Sequence, residues 1–232
     1  RRRLASPTTP PQDGATRATL TDWVERLRHE LDYDASQQLA AVNAYTGNNQ
    51  QAAGGAYSYY LNGALKRTEL GSNLQGTDYV YTIAGQLKSI NAANATAAAD
   101  PGADGSGSGN TDLFGMALDY FAGDYVNNNE GSGIASYTDA TYSGRYNGLV
   151  NSMRWKTNAS GAHLAGNSQL HSAGDDTKEL IYRFAYDELN RLAEAVFGVF
   201  DRGSNTATVR EEYRVGGIGG GAIGYDKNGN IA

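Results

Sequence analysis

Apolar and polar positions alternate with a period of two along much of this chain, and the alternation is broken at regular places by short turn-forming runs. In "LIYRFAY" (180–186), Ile181, Arg183 and Ala185 alternate with Tyr182, Phe184 and Tyr186, as a β-strand requires. The breaks share one pattern. With a tyrosine at position zero, the chain reads "YDASQQLAAV" (33–42), "YYLNGALKRT" (59–68), "YTIAGQLKSI" (81–90), "YDELNRLAEA" (186–195) and "YDKNGNI" (225–231). An aliphatic residue stands at +6 after Tyr33, Tyr59, Tyr81, Tyr186 and Tyr225: Leu39, Leu65, Leu87, Leu192 and Ile231. Positions +3 and +4 carry turn formers, namely Asn62-Gly63, Ala84-Gly85, Asn190 and Asn228-Gly229. Three copies follow the tyrosine with aspartate: Asp34, Asp187 and Asp226. Gly or Asn at +4 supplies the positive φ of a tight turn. Each copy therefore predicts a β-hairpin, with tyrosine closing one strand and the aliphatic residue opening the next. The first copy has Gln37 at +4, which marks it as degenerate or as a turn built differently.

The expected fold is all-β: successive hairpins in a long, curved or spiralling antiparallel sheet. A helical reading competes in two places. "DELNRLAEAV" (187–196) has good helix formers with Leu189, Leu192 and Val196 at helical spacing. In "WVERLRHELDY", however, Leu27, His29, Leu31 and Tyr33 alternate strictly with charged residues, which favours a strand. Strands are predicted at 180–186 and 191–200 around a turn at 187–190, with further strand-like pieces at 113–121, 145–156 and 206–215. Residues 1–20 read as a disordered leader or cut edge, and 21–232 as one repeat region. Mobile loops are expected near 91–112, 123–144 and 157–179, where low-complexity or turn-rich composition interrupts the pattern. The chain stops at "YDKNGNIA", midway through the pattern, so it reads as a piece of a longer protein.

Composition sharpens this picture. Charged residues are only 19% of the chain, and 30 glycines stand against 4 prolines, so polarity comes from amides, hydroxyls and turns. Sixteen tyrosines accompany five phenylalanines; tyrosine suits a half-buried β surface, with its ring packed and its hydroxyl wet. A net charge of −6 argues against electrostatic binding to nucleic acid or acidic membranes. The absence of cysteine excludes disulfides and thiolate metal sites. No apolar run is long enough to span a bilayer as a helix.

Candidate chemistry is thin. "GGGAIG" (219–224) fits a dinucleotide loop, but a turn follows it rather than a helix, so a flexible glycine turn is the better reading. "DKNGN" (226–230) begins like a calcium loop, but Ile231 stands where that loop needs glycine. His163 and His171 lie in a polar stretch with Asp175 and Asp176, and read as solvated loop residues. Asp187/Glu188 and Glu211/Glu212 are adjacent, so an extended chain points them apart. Trp155 in "MRWK" is a candidate glycan contact, since aromatic faces stack on sugar rings; sheet packing is the plainer role. No cofactor, metal or catalytic constellation is expected.

The five copies resemble the YD repeat of RHS-repeat proteins. "YSYYLNGALKRTEL", "DYVYTIAGQLKSIN", "DLFGMALDY", "YNGLVNSMRWK", "YRFAYDELNRLAEAVF" and "GYDKNGNI" occur in this order and look like RHS proteins of Bacteroidetes-type bacteria. The resemblance covers roughly 21–232. It implies a β-sheet spiralling into a hollow shell, which in bacterial members commonly encloses a C-terminal toxin. On that resemblance the chain is a structural segment without chemistry of its own. Its partners would be the rest of the same polypeptide and an enclosed effector, and its location secreted or at the cell surface. A secreted or surface carbohydrate-binding module is the alternative, with glycans as partners, and an enzyme has the least support. The family's self-cleaving aspartates have no matched positions here.

Overall fold

A computed structural model describes residues 27–46, 49–50, 54–71, 74–93, 100–102, 112–125, 134, 137, 144–157, 178–210, 214–216 and 222–231. Among them every regular element is a β-strand. The expected leader at 1–20, His163, His171, Glu211 and Glu212, and large parts of the three expected loops, lie outside the described residues.

Two compact units divide the chain at Gly76/Thr77. The first contains β1 (Leu27–Tyr33), β2 (Leu39–Thr46), the short β3 (Asn49–Gln50), β4 (Gly55–Tyr59) and β5 (Leu65–Leu70). Their order is β1-β2-β4-β5, with β3 paired to β2. The second is built on β6 (Gln75–Tyr81), β7 (Leu87–Ile90), β8 (Phe114–Asp119), β9 (Ser152–Thr157), β10 (Lys178–Tyr186), β11 (Leu192–Asp201) and β12 (Thr206–Val209), in that spatial order. Strand pairing within each unit is antiparallel. The all-β hairpin class read from the periodicity is therefore the observed one, and 187–196 is turn and strand, not helix.

Strand limits differ from expectation in two informative places. The piece expected as strand 145–156 begins only at Ser152, because the chain first turns at Tyr146, Asn147 and Gly148. The loop expected at 157–179 takes in strand ends: Thr157 closes β9, while Lys178 and Glu179 open β10. Composition marked that segment as polar, but Glu179 is polar because it is paired inside the protein, as described below.

The faces of the second unit are dressed against the usual rule. Along β10, Glu179, Ile181 and Arg183 are buried, whereas Leu180, Tyr182 and Phe184 are half-buried. On β9 the buried set is Ser152, Arg154 and Lys156, with Met153 and Trp155 on the more open face. Cross-strand register explains the coherence. Ala117 pairs with Arg154, Arg154 with Ile181 and Ile181 with Gly198, so one face of four strands is covered together. The cover comes partly from the interstrand segments. Tyr137 packs edge-on against Phe200 at 4.8 Å, and Tyr137, Ile181 and Phe200 form the core cluster. Ile134, Ala92 and Ala93 are also buried. A Cβ on Gly115 would fall on the Ala92 carbonyl, so only glycine lets that backbone lie on β8. The first unit has no fully buried apolar side chain among its described residues.

Candidate functional site

The repeat resolves into one atomic device. In all five copies the tyrosine and its +6 aliphatic residue are direct cross-strand partners: Tyr33 with Leu39, Tyr59 with Leu65, Tyr81 with Leu87, Tyr186 with Leu192 and Tyr225 with Ile231. Between them the +1 amide donates to the +5 carbonyl at 2.8–2.9 Å in each copy (Asp34, Tyr60, Thr82, Asp187 and Asp226 as donors). The +4 amide donates back to the +1 carbonyl at 2.8–3.1 Å. The +4 residue has positive φ throughout: Gln37 at 64°, Gly63 at 86°, Gly85 at 80°, Asn190 at 62° and Gly229 at 84°. The first copy is thus neither degenerate nor differently built, and Gln37 simply adopts the left-handed conformation that glycine takes more cheaply.

Aspartate follows tyrosine for a local reason. Asp34 Oδ1 accepts the amides of Ser36 and Gln38, Asp187 Oδ1 those of Leu189 and Arg191, and Asp226 Oδ1 those of Asn228 and Asn230. One carboxylate oxygen closes two turn donors in each copy. Asp187 is held below the usual carboxylate range, chiefly by the Arg191 backbone hydrogen bond; Asp226 is lowered too, first by the Asn230 side chain. Four copies share a β-bulge just before the tyrosine, where the register shifts between Asp32/Tyr33, Ser58/Tyr59, Val80/Tyr81 and Ala185/Tyr186.

The tyrosine hydroxyls tie successive hairpins together. Tyr59 donates to the Leu39 carbonyl at 2.9 Å, Tyr120 to Leu87 at 2.8 Å, Tyr186 to Val150 at 2.8 Å and Tyr225 to Leu192 at 2.6 Å. Leu39, Leu87 and Leu192 are the +6 residues of the preceding copies. This rule uncovers a sixth copy that the sequence reading missed. Tyr120 directly follows β8, and "RYNGLV" (145–150) supplies a turn with Gly148 at φ 88° and Val150 as the aliphatic acceptor. Residues 121–144 are inserted between its zero and +1 positions. Asp119 pairs with Ser152, the −1 and +8 relation found in the other copies. Gly144 returns the chain against Tyr120, whose carbonyl a Cβ on Gly144 would meet. The signal available was Asn147-Gly148 followed two residues on by Val150.

Neighbouring turns also touch. Arg145 donates to the carbonyls of Tyr186 and Asp187 at 2.9 and 3.1 Å and to Asn190 Oδ1 at 2.9 Å. In the first unit Gln38 donates to the Gly63 carbonyl at 3.1 Å.

A second constellation, also unforeseen, lies on the covered face of the second unit. Lys88, at the β7 bulge, donates to Asp119 Oδ1 at 2.9 Å, to Asp124 at 2.9–3.0 Å and to the Leu118 carbonyl at 2.9 Å. Arg154 grips Asp119 through Nε and Nη2 at 2.9 and 3.1 Å and Glu179 through Nη1 at 3.1 Å. Arg202 pairs with Glu179, and Ser152 Oγ donates to Asp119 at 2.8 Å. Arg154 also sits 5.2 Å from the Phe200 ring centroid. Lys88, Asp119, Arg154 and Glu179 are all essentially inaccessible. Burial raises the Asp119 carboxyl, but Arg154 and Lys88 outweigh burial and hold it at about 2. Burial disfavours the Arg154 charge as well, and Asp119 and Glu179 more than restore it. The signal was present as alternation: Ser152, Arg154, Lys156 and Glu179, Ile181, Arg183 are period-two sets, but nothing in the sequence told which face was covered.

Trp155 lies among rings on the opposite, half-open face, 5.9 Å and 13° from Tyr182 and 6.1 Å from Phe197. Tyr182 and Phe184 continue the row at 6.1 Å. His29 is exposed on β1. Of the "GGGAIG" stretch, Ile223 donates its amide to the Ala193 carbonyl at 2.7 Å. Among the described residues no three His, Asp or Glu side chains are grouped to hold a metal.

No family model matches the chain, and no curated protein matches it. Among solved structures, it is similar to the Photorhabdus luminescens Tc holotoxin pore, with 12% identity, a TM-score of 0.36 and 79% of this chain covered. The chain spans 8% of the length of that toxin chain. It is also similar to a Bacteroides fragilis protein of unknown function, with 11% identity, a TM-score of 0.20, and 84% and 94% of the two chains covered.

Proposed function

We propose that this chain is a length of wall in an RHS-repeat shell that encloses or presents a C-terminal effector, with no chemistry of its own. The observation that carries the reading is the repeated device: cross-paired Tyr and aliphatic residue, left-handed +4 turn, and a tyrosine hydroxyl donated to the previous hairpin. Such a device extends by addition, because for Tyr59, Tyr120, Tyr186 and Tyr225 the preceding hairpin supplies the carbonyl that the tyrosine needs. The buried charges neutralise one another and fasten strands, a locking role rather than the presentation of a group to substrate. The wall would be made by a bacterium, as a secreted or surface protein, and would exclude water and proteases from its cargo.

Limited proteolysis with mass spectrometry of the full polypeptide tests this. A C-terminal piece that stays bound and protected while the repeats remain intact is the expected result. Rapid digestion of everything C-terminal to an intact repeat region would overturn it. The half-open row Trp155, Tyr182 and Phe184 favours glycan binding as the second reading; binding on a glycan array that is lost in Trp155→Ala would establish that instead.

A further inference from the structure

The turns carry apolar side chains that folding does not use. Ile83 is 106% exposed, Tyr146 83% and Leu189 71%. All three stand at the tips of turns, at +2, +2 and +3 of successive copies in the second unit. The turns are neighbours: Gln86 lies against Gly148, and Arg145 and Asn147 both reach Asn190. Tyr146 keeps an open face although its ring lies 4.4 Å from that of Phe121. In the first unit the +2 position carries Leu61, equally exposed. Turn tips ordinarily favour Asn, Asp, Ser and Gly. Nothing in the hairpin geometry asks for an aliphatic or aromatic residue at a position whose side chain leaves the protein.

We propose that these tips form an interaction ridge, and that its occupant is the opposite edge of another strip of the same hairpins. The proposal builds on the wall reading above. Two observations select this occupant. First, the ridge has the pitch of the sheet: neighbouring hairpins advance by two strand spacings, about 10 Å. Another strip of the same hairpins has that pitch built in, so it meets the row tip by tip. Second, the opposite strand ends are also apolar. Leu113 and Phe114, at the start of β8, are exposed, as are Leu70, which ends β5, and Leu74 beyond it in the first unit. A strip with apolar residues at both ends of its strands stacks edge to edge on its own kind, as one coil upon the next. In the isolated chain the only such strip is a second copy.

Sedimentation velocity of the 232-residue chain over a concentration series is the test. The wild type should associate with increasing concentration. The triple variant Ile83→Ser/Tyr146→Ser/Leu189→Ser should associate at least about tenfold more weakly, with unchanged circular dichroism. A folded triple variant that associates as the wild type does would place association at the strand edges and overturn the ridge. So would a wild type that stays monomeric throughout. If the triple variant fails to fold, Ile83→Cys alone serves, since the chain has no other cysteine to label. Its maleimide labelling should slow as concentration rises, and a constant rate would overturn the proposal. The wall reading stands or falls separately, on protection of the C-terminal piece.

Discussion

Replacing Tyr186 by phenylalanine isolates the bond on which the repeat depends. The ring stays, its packing stays, and only the hydroxyl that donates to the Val150 carbonyl at 2.8 Å is lost. Burial keeps that phenol protonated and Arg145 opposes it only in part, so Tyr186 is a donor at neutral pH. A neutral hydrogen bond of this kind contributes about 0.5–1.5 kcal/mol net. The site is half-buried, so water partly compensates and we expect about 1 kcal/mol. Tyr120→Phe should cost more, toward about 2 kcal/mol, because Tyr120 is 5% exposed and the Leu87 carbonyl loses its donor where water reaches poorly. Tyr33→Phe is the internal control: Tyr33 is 56% exposed and has no acceptor among the described residues, so its change should lie within about 0.5 kcal/mol of zero. Urea denaturation reads all three, as a fall in midpoint at constant slope. If Tyr186→Phe and Tyr120→Phe shift the midpoint no more than Tyr33→Phe does, the hydroxyl does not tie the hairpins and tyrosine is chosen only for its ring.

Acid should loosen the second unit late. The Asp119 carboxyl lies near 2 in the folded protein against an ordinary 3.8, so its contribution is present above about pH 4 and disappears as pH falls through 2; a loss of about 2 kcal/mol across that window would show in melting temperatures. Asp119→Asn removes one of the two carboxylates that each of Arg154 and Lys88 faces in a covered site, leaving Glu179 and Asp124, and should cost about 3–5 kcal/mol, measured by the same melts, with the acid-dependent loss largely abolished. Gly85 has φ 80° with no atom within reach of an added Cβ, so Gly85→Val should cost only the backbone penalty, about 1–2 kcal/mol, whereas Gln37→Gly should gain up to about 1 kcal/mol; denaturation midpoints check both signs. Asp187→Ala removes the acceptor of two turn amides, and hydrogen exchange at Leu189 and Arg191 should speed up while the strand amides hold.

How far the sequence could be read depended on whether the determining interactions were local. The Tyr–aliphatic pairing, the turn and its left-handed residue span seven positions, so they stand in the sequence as a motif and were legible, including the strand ends at Tyr33, Tyr59, Tyr81 and Tyr186. Gln37 misled because the motif was read as residue identity, when the requirement is a φ that glutamine can also adopt at a cost. The copy beginning at Tyr120 was hidden because its halves are separated by the inserted segment, although each half is ordinary. The lock of Lys88, Asp119, Asp124, Arg154 and Glu179 was hidden for a different reason. Period-two alternation divides a strand into two faces but does not say which face is covered. Apolarity would assign the covered face of β10 to Leu180, Tyr182 and Phe184; the structure assigns it to Glu179, Ile181 and Arg183.

The split copy shows why this repeat can carry long interruptions without losing its place. Register in the four uninterrupted hairpins between named strands is set within the hairpin, by the turn, the bulge and the Tyr–aliphatic pair, and the split copy keeps their −1 to +8 pairing through Asp119 and Ser152. Inserting residues between zero and +1 therefore leaves every later pairing intact, provided the two ends of the insert meet. They meet at Gly144 and Tyr120, where the missing Cβ makes the approach possible. Closing a loop of this length costs little more than closing a short one, since the entropy grows only with the logarithm of length. The inserted segment then gives something back: Ile134 and Tyr137 lie buried, Tyr137 against Phe200, on the face that holds the charge lock. Gly144→Val should consequently do more damage than Gly85→Val, although Gly144 lacks the positive φ of Gly85. A Cβ there strikes the Tyr120 backbone, pulls the turn at 145–148 away from Asn190, and opens the hairpin at the point where two halves of one repeat are joined.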